Sequence, residues 1–291
     1  MSLFRHSFPL GLSCTDATCR IVSIAHGGKR VRIAGRAERP LPPGLLEGGA
    51  VRDAPALAHT MEEALRSMRS ARGQKSVALC LPVENVYTSL VTLPPHKEEE
   101  RDELIRNAEV QERIPEPKAD MQIFSTVLSQ SKTDVALGIA AVRRDLLQGY
   151  ADALQLQLLQ MSHVTSTSMA LHALLEESQR GEGPPFLLLD AGAPIPYVSL
   201  FHKSWPIDEC LLNLREKPEA WMVYIEKMRR YHREHGIAAE RLVVLGTPET
   251  VECIRKTCGK DIAAEAARLR LEKADDLVWA PATGASLHSI V

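Results

Sequence analysis

The chain has 291 residues, of which 45% are hydrophobic and 25% charged, and this composition predicts a globular protein of two or three subdomains. Its 35 basic and 37 acidic residues give a net charge of -2, so no strong overall field favours nucleic acid or a membrane surface. The sequence contains no run of eighteen apolar residues, so it predicts no membrane-spanning helix. The start MSLFRHSFPLGLSC lacks the long apolar core of a secretory signal.

The six cysteines do not follow the spacing of a disulfide framework. Cys14 and Cys19, like Cys253 and Cys258, have four residues between them. This spacing leaves open a zinc pair, or buried and edge thiols in a reducing cytoplasm. We expect these cysteines to be free thiols that bind no metal.

The first part of the chain predicts a three-stranded meander, then a helix and a strand. The turn His26-Gly27-Gly28-Lys29 is typical of a hairpin, and the Pro/Gly-rich loop 40–53 ends at Asp53, a helix-capping residue. Apolar residues at helical spacing favour an amphipathic helix over 54–71. The predicted strands are 9–14, 19–26, 29–38 and the buried 75–81.

The middle of the chain mixes strands and helices. An acidic first turn favours a helix over 96–114, which Pro115 and Pro117 end. The other predicted helices are 143–157 and 168–180. The predicted strands are 86–93, 120–130, 134–142 and the short 160–165.

The last third repeats this order after the break GEGPP at 181–185. A hairpin of strands 186–190 and 196–201 surrounds Asp190 and Gly192. A helix over 218–236, closed by Gly236, precedes a strand over 240–246. Further helices are predicted at 248–259, 263–272 and 281–288. The pattern therefore predicts two similar α/β halves that meet at a cleft.

Six segments in this order resemble the actin-like ATPase superfamily and, within it, the type IV pilus assembly family PilM. They are PLGLSCTDATCRIVSI, PLPPGLLEGGAVRDAPAL, LPVENVYTSLVTLP, RNAEVQERIPEP, DAGAPIPYVSLF and PATGASL. The cytoplasmic part of GspL is a closer relative of that family, and FtsA a more distant one.

The resemblance implies a duplicated α/β, actin-like (ribonuclease H-like) fold with an inserted α+β subdomain and a reduced second half. We expect the first subdomain at 1–81 plus 158–182, the insert at 82–157 and a truncated second subdomain at 183–291.

The nucleotide site that this resemblance implies is altered in its first turn. Gly11 is kept, but Ser13 stands where active members have Asp, and Thr15 where they have Gly. Serine lacks the charge that orders a metal's water shell, and a Cβ at position 15 obstructs the backbone's approach to a phosphate. Asp16 could supply a carboxylate, one position late.

The other two nucleotide loops are altered as well. In the second hairpin Asp190 and Gly192 remain, but Pro196 replaces a Thr, and Pro194 removes another backbone donor. At the adenosine pocket Gly246 remains, followed by the bulkier Thr247 and Pro248. We therefore expect a pseudo-ATPase with weak or absent binding of ATP and Mg. The alternative is a divergent ATPase that uses Asp16, Asp190, Gly192 and Gly246. A carbohydrate kinase-like enzyme on the same fold is disfavoured, because the sequence has no recognisable carboxylate that would act as the base for the substrate.

The resemblance also implies a partner. Members of the family bind the short N-terminal, cytoplasmic tail of the inner-membrane protein PilN in a groove between the first subdomain and the insert. The corresponding residues here are Val86, Tyr87, Thr88 and Leu90 on the strand 86–93 and Arg101, Leu104 and Ile105 on the next helix. The same strand could instead be an ordinary core strand.

We therefore expect a cytoplasmic protein, held at the inner membrane through that partner, in a type IV pilus or type II secretion-like assembly. It would also contact an assembly ATPase, and would bind no nucleic acid.

Two histidine groups leave alternatives open. His232 and His235 share a helix face and could form a metal or acid–base site, or could lie at a solvated helix end. His163, with Ser162 or Ser166, lacks the G-x-S-x-G turn of a nucleophile elbow, so these are expected to be ordinary polar residues.

Overall fold

The computed structural model describes residues 8–27, 30–95, 120–180, 183–259 and 261–288. A five-stranded sheet forms the first half, in the order β10-β6-β1-β2-β3. The strands β1, β2 and β3 form an antiparallel meander, and β6 and β10 extend the sheet in parallel from β1. The bounds are β1 (Leu10–Cys14), β2 (Thr18–Gly27), β3 (Arg30–Pro40), β6 (Ser76–Leu81) and β10 (Gln160–Ser166).

The second half contains a sheet of the same topology, in the order β13-β12-β11-β14-β15. Again three strands form an antiparallel meander and two extend it in parallel. The bounds are β11 (Phe186–Asp190), β12 (Tyr197–His202), β13 (Trp205–Leu211), β14 (Arg241–Leu245) and β15 (Ala263–Ala266). The predicted duplication of the α/β half is therefore confirmed.

A three-stranded antiparallel sheet, in the order β7-β9-β8, is inserted in the sequence between β6 and β10 of the first half. Its strands are β7 (Tyr87–Leu93), β8 (Met121–Gln130) and β9 (Val135–Arg143). A two-residue pair, β4 (Leu46–Glu47) and β5 (Ala50–Val51), forms inside the predicted loop 40–53. The helix predicted over 96–114 lies outside the described residues.

Some of the helices begin at a residue whose side chain caps them. Asp53 accepts a hydrogen bond from the amide of Ala56 at the start of α1, and Ser166 from that of Met169 at the start of α3. Among the described residues, no helix combines the length and the apolar character needed to cross a membrane. The helices are α1 (Ala54–Ser67), α2 (Arg144–Leu156), α3 (Thr167–Leu174), α4 (Glu177–Arg180), α5 (Pro218–Glu234), α6 (Pro248–Thr257) and α7 (Ala280–His288).

The helices α3 and α7 pack closely against each other, and α7 returns to the first-half sheet. Two glycines permit this approach. A Cβ at Gly284 would lie 2.0 Å from the carbonyl oxygen of Ala170, and a Cβ at Gly11 would lie 1.8 Å from that of Ala282. Gly11 is therefore explained by helix packing.

Two helices pack across the predicted subdomain boundaries, which themselves stay a prediction. The helix α2, assigned to the insert, packs on α1 and contributes Tyr150 and Leu146 to the first-half core. The helix α7, assigned to the second half, packs on β1, β2 and β6. In the described part of 183–291 there is one sheet and no second one.

The insert also contacts the second half. The ring of Trp205, at the start of β13, lies over Gly138, where a Cβ would come within 2.4 Å of it. Lys203 donates to the hydroxyl of Ser129 across the same boundary, at 3.0 Å. These contacts place the insert against the hairpin β12–β13.

Two predictions of secondary structure were wrong, and one strand was not predicted. The predicted helix 263–272 contains the strand β15, which pairs in parallel with β14. The predicted helix 168–180 is two helices, because Leu175 bridges Leu269 and the amide of Glu176 donates to the carbonyl of Arg268. The strand β13 was missed altogether.

Candidate functional site

The first predicted phosphate turn, between β1 and β2, is closed by its own threonines. The hydroxyl of Thr15 accepts from the amides of Ala17 (3.3 Å) and Thr18 (3.1 Å). The amide of Thr15 donates to the carbonyl of Thr18 at 2.9 Å. The amides of Thr15, Ala17 and Thr18, which could otherwise face a phosphate in an anion-binding turn, are thus already paired within this chain.

Ser13 and Asp16, the other predicted residues of this turn, make their contacts within the first half. Ser13 is part of β1, opposite Arg20 on one side and Cys80 on the other. Asp16 is exposed, and its carboxylate accepts from the amide of Gly49, 3.4 Å away, in the β4–β5 turn. The position of Asp16 therefore ties two turns of the first half together.

The second predicted phosphate loop, between β11 and β12, surrounds a buried carboxylate. Asp190 is 5% exposed and accepts from the amide of Gly192 at 3.0 Å. Burial raises the pKa of Asp190 to about 6, against the opposing effect of the amides of Gly192 and Ala193. The loop's donors therefore serve its own aspartate, and Pro194 and Pro196 have no N–H to offer.

The third segment, at Gly246, begins the helix α6. Thr247 is the N-cap and accepts from the amide of Thr250 at 3.3 Å, and Pro248 is the first helical residue. The amide of Ala191 donates to the carbonyl of Leu245 at 2.8 Å, so Asp190, Gly192 and Gly246 lie together. No hydrogen bond or ion pair of the described residues joins them to Thr15 or Asp16.

Among the described residues, cysteine and histidine side chains do not form a metal cluster. Cys14 and Cys19 face each other across β1 and β2 as buried free thiols, and a hydrogen bond from Cys19, with burial, raises the pKa of Cys14. Within the described ranges, no group of three or more His, Cys, Asp and Glu side chains could hold a metal ion.

The predicted partner strand lies at one edge of the three-stranded sheet. Val86 and Thr88 are buried, whereas Tyr87 and Leu90 are half-buried. Arg101, Leu104 and Ile105 lie outside the described residues. The strand is thus partly a core strand, and its first residues line an open space.

That space, called here the junction cavity, has a volume of about 380 Å³ and lies where the insert meets the second half. Its walls are residues 83–88, residues 207–209 of β13, and Met121, Ala141 and Arg143. The structure therefore brings the predicted residues Val86, Tyr87 and Thr88 together with a strand that sequence reasoning missed.

A polar cluster extends from the wall of the junction cavity into the interior, and Glu209 is its member that lines the cavity. Ser168 of α3 and Ser199 of β12 both donate to Oε1 of Glu209, the latter at 2.9 Å, and Ser166 lies 2.9 Å from Ser168. Burial raises the pKa of Glu209 to about 7, against the opposing effect of the two serine hydroxyls. A single carboxyl group thus links three elements of the two halves.

His232 was expected at a solvated helix end if it had no functional role; it lies in the last turn of α5, but it is not solvated. Its side chain is 12% exposed, and its Nε2 is 2.8 Å from Oδ2 of Asp208 in the wall of the junction cavity. His235 is exposed and lies 2.7 Å from the carbonyl oxygen of Tyr231. His163 is an exposed residue at a bulge in β10.

Sequence reasoning missed Glu209, Asp208 and Ser168. The only signal for Asp208 and Glu209 was the apolar run from Trp205 to Leu212, which they interrupt so that it resembles a loop, and Ser168 had no signal of its own. Acidic residues inside a short strand have a low strand propensity, so the pattern hid the strand and its buried glutamate together.

The fold places the chain in a class of proteins with two equivalent α/β halves and an insert, and the predicted actin-like α/β fold is confirmed. Within that class, the chain is similar to a chain of the PilM-PilN type IV pilus biogenesis complex. The TM-score is 0.73 and the identity 21%, over 97% of this chain and 98% of that chain. The predicted resemblance to PilM is thereby confirmed at the level of the fold.

The chain is also similar to the cytoplasmic domain of EpsL, an inner membrane component of the type II secretion system of Vibrio cholerae. There the TM-score is 0.55 and the identity 12%, over 97% of this chain and 95% of that domain. No protein-family model matches the sequence, and a search of curated proteins found no match.

Proposed function

We propose that this protein is a cytoplasmic scaffold of a type IV pilus or type II secretion-like assembly. It binds the cytoplasmic tail of a PilN-like inner-membrane protein and does not hydrolyse ATP. The similarity of its fold to a chain of the PilM-PilN complex supports this proposal. Contact with an assembly ATPase remains a prediction from the resemblance alone.

One observation carries the non-enzymatic part of the proposal. In the two predicted phosphate loops, backbone donors are used by Thr15 and by Asp190 of the same chain. A phosphate would have to displace these internal hydrogen bonds and would meet the carboxyl group of Asp190. The amides of Ala17, Thr18 and Gly192 are therefore already used within the loops and would have to be released before they could donate to a nucleotide.

The binding part of the proposal is placed at the start of β7. Tyr87 is half-buried and lines the junction cavity beside Thr88. Aromatic side chains in such positions are the commonest energetic anchors of protein interfaces. We therefore expect the partner tail to pack against Tyr87.

Calorimetric titration with the N-terminal cytoplasmic peptide of a cognate PilN-like protein tests the binding part. The wild-type protein should bind it with one-to-one stoichiometry, and Tyr87→Ala should weaken the affinity about tenfold or more. Tyr224→Ala, on the outer surface of α5, is the matched control and should leave the affinity unchanged. Equal affinities for both variants would remove Tyr87 from the site.

A divergent ATP-binding ATPase is the second candidate, because Asp190, Gly192 and Gly246 lie together at the end of β11 and β14. Thermal unfolding with and without Mg-ATP separates the two. A ligand at one hundred times its Kd adds about 2.7 kcal/mol to the free energy of unfolding, which shifts Tm by several degrees. A scaffold without a nucleotide site should show no shift.

A further inference from the structure

The junction cavity has walls of one predominant charge. Glu84, Asp208 and Glu209 all line it, and Arg143 is its only cation among the described lining residues. Arg143 is already held by Asp145 through two hydrogen bonds, of 3.0 and 2.5 Å. Asp208 faces His232, and Glu84 has no ion-pair partner among the residues described. An anionic ligand would therefore be repelled, and a cationic one attracted.

Polar groups in the cavity wall lack partners, independently of this charge. Thr88 is 7% exposed, and its hydroxyl has no hydrogen-bond partner in the described structure. The side-chain nitrogen of Asn85 is buried and equally unpaired. Both serine hydroxyls bind Oε1 of Glu209, and no described residue donates to its Oε2. Buried polar groups are paired in most native proteins, so this concentration points to a missing ligand.

The rest of the lining is apolar. Val83, Val86, Met121 and Ala141 are buried, and Ile207 is half-buried. A lysine or arginine side chain combines an aliphatic stem with a cationic head, and so matches an apolar wall that ends in carboxylates. A cavity of about 380 Å³ has room for one such side chain.

We propose that the junction cavity binds the cationic head of an arginine or lysine side chain from the partner tail. That this side chain comes from the partner tail rests on the proposed function, whereas the presence of a cation site in the cavity does not. Glu209 and Asp208 accept from the cationic head, and so does the hydroxyl of Thr88. Asn85 donates to a carbonyl oxygen of the incoming segment.

The probe is N-acetyl-arginine amide, compared with N-acetyl-citrulline amide, which has nearly the same shape and no charge. Binding is followed by NMR of the full-length protein with labelled methyl groups, read at Val86, Met121 and Ile207. We expect saturable shifts of these methyl signals with the arginine compound. The citrulline compound should bind about tenfold more weakly or worse, because charge-assisted hydrogen bonds are lost.

Two variants locate the site. The double variant Asp208→Asn, Glu209→Gln keeps the side-chain shapes and should weaken binding of the arginine compound about tenfold or more. Thr88→Val removes only an unpartnered hydroxyl, so the protein should fold normally and bind the compound several-fold more weakly. Glu252→Gln, on the surface of α6, is the acidic control and should bind like the wild type.

Equal binding of the arginine and citrulline compounds would overturn the cation site. So would shifts confined to methyl groups outside the cavity, or unchanged binding by the double variant. If the arginine compound binds as expected while the PilN-like peptide does not, the cation site stands and the proposed partner is wrong. If the peptide binds equally to the double variant, the partner stands and the cation site is wrong.

Discussion

Replacing Glu209 by glutamine should stabilise the protein at high pH and leave it nearly unchanged at low pH. The carboxyl group is buried behind Ser168 and Ser199, and its pKa is raised from 4.5 to about 7. Between these values the folded chain holds a proton that the unfolded chain has lost. Rising pH therefore removes stability from about pH 4.5 until about pH 7, above which the loss is complete.

The size of the effect follows from the two pKa values. The interval from 4.5 to about 7 corresponds to about 3 kcal/mol, at about 1.4 kcal/mol per pKa unit. Glutamine is neutral at every pH and retains the Oε1 that accepts from Ser168 and Ser199. The free energy of unfolding of Glu209→Gln should thus exceed that of the wild type by about 3 kcal/mol at pH ~8 and by nearly zero at pH ~4.

Urea unfolding of both proteins across this pH range measures the difference directly. Asp190, whose pKa is also raised, contributes in the same direction but is common to both proteins and cancels in the comparison. A difference that is constant with pH would refute the reasoning, because it would mean that Glu209 ionises as easily in the folded chain as in the unfolded one. Glu252→Gln is again the control.

Three further predictions concern other contacts. Gly284→Ala should destabilise the protein by about 2 kcal/mol or more in urea unfolding, because its Cβ would lie 2.0 Å from the carbonyl of Ala170; an unchanged midpoint would mean that α3 and α7 are not so close. Thr247→Ala should lower the free energy of unfolding by about 1 kcal/mol in the same assay, because it removes the hydroxyl that caps α6. Thr247→Ser keeps that hydroxyl and should lower it much less, so equal losses would contradict a capping role. Binding of N-acetyl-arginine amide should strengthen from pH ~6 to pH ~8 as Glu209 ionises beside Asp208, Glu84 and Arg143, and a pH-independent NMR titration would contradict the role of Glu209.

Much of the fold could be predicted because local patterns and tertiary structure agree. The meander at 9–39 and the hairpin at 186–201 combine apolar strands with turn residues, and both lie within a few residues of the predicted positions. The segment 263–272 failed for the opposite reason. Its alanines and glutamate favour a helix, but pairing with β14 places Ala263–Ala266 at the edge of the second sheet.

The candidate site could be predicted only in part. The altered residues at positions 13, 15 and 196 are visible in the sequence, but the capture of loop amides by Thr15 and Asp190 depends on side-chain geometry. Glu209 could not be found, because its three neighbours in the cluster lie 10 to 43 positions away in the chain. A buried carboxyl group held by distant hydroxyls has no local signature.

The most direct test of the proposed function is calorimetric titration of the protein with the N-terminal cytoplasmic peptide of its cognate PilN-like protein. The account predicts saturable one-to-one binding in the micromolar range or tighter, unaffected by Mg-ATP and weakened about tenfold or more by Tyr87→Ala. No binding at high micromolar peptide, together with a rise in Tm on addition of Mg-ATP, would contradict it and favour the ATP-binding alternative.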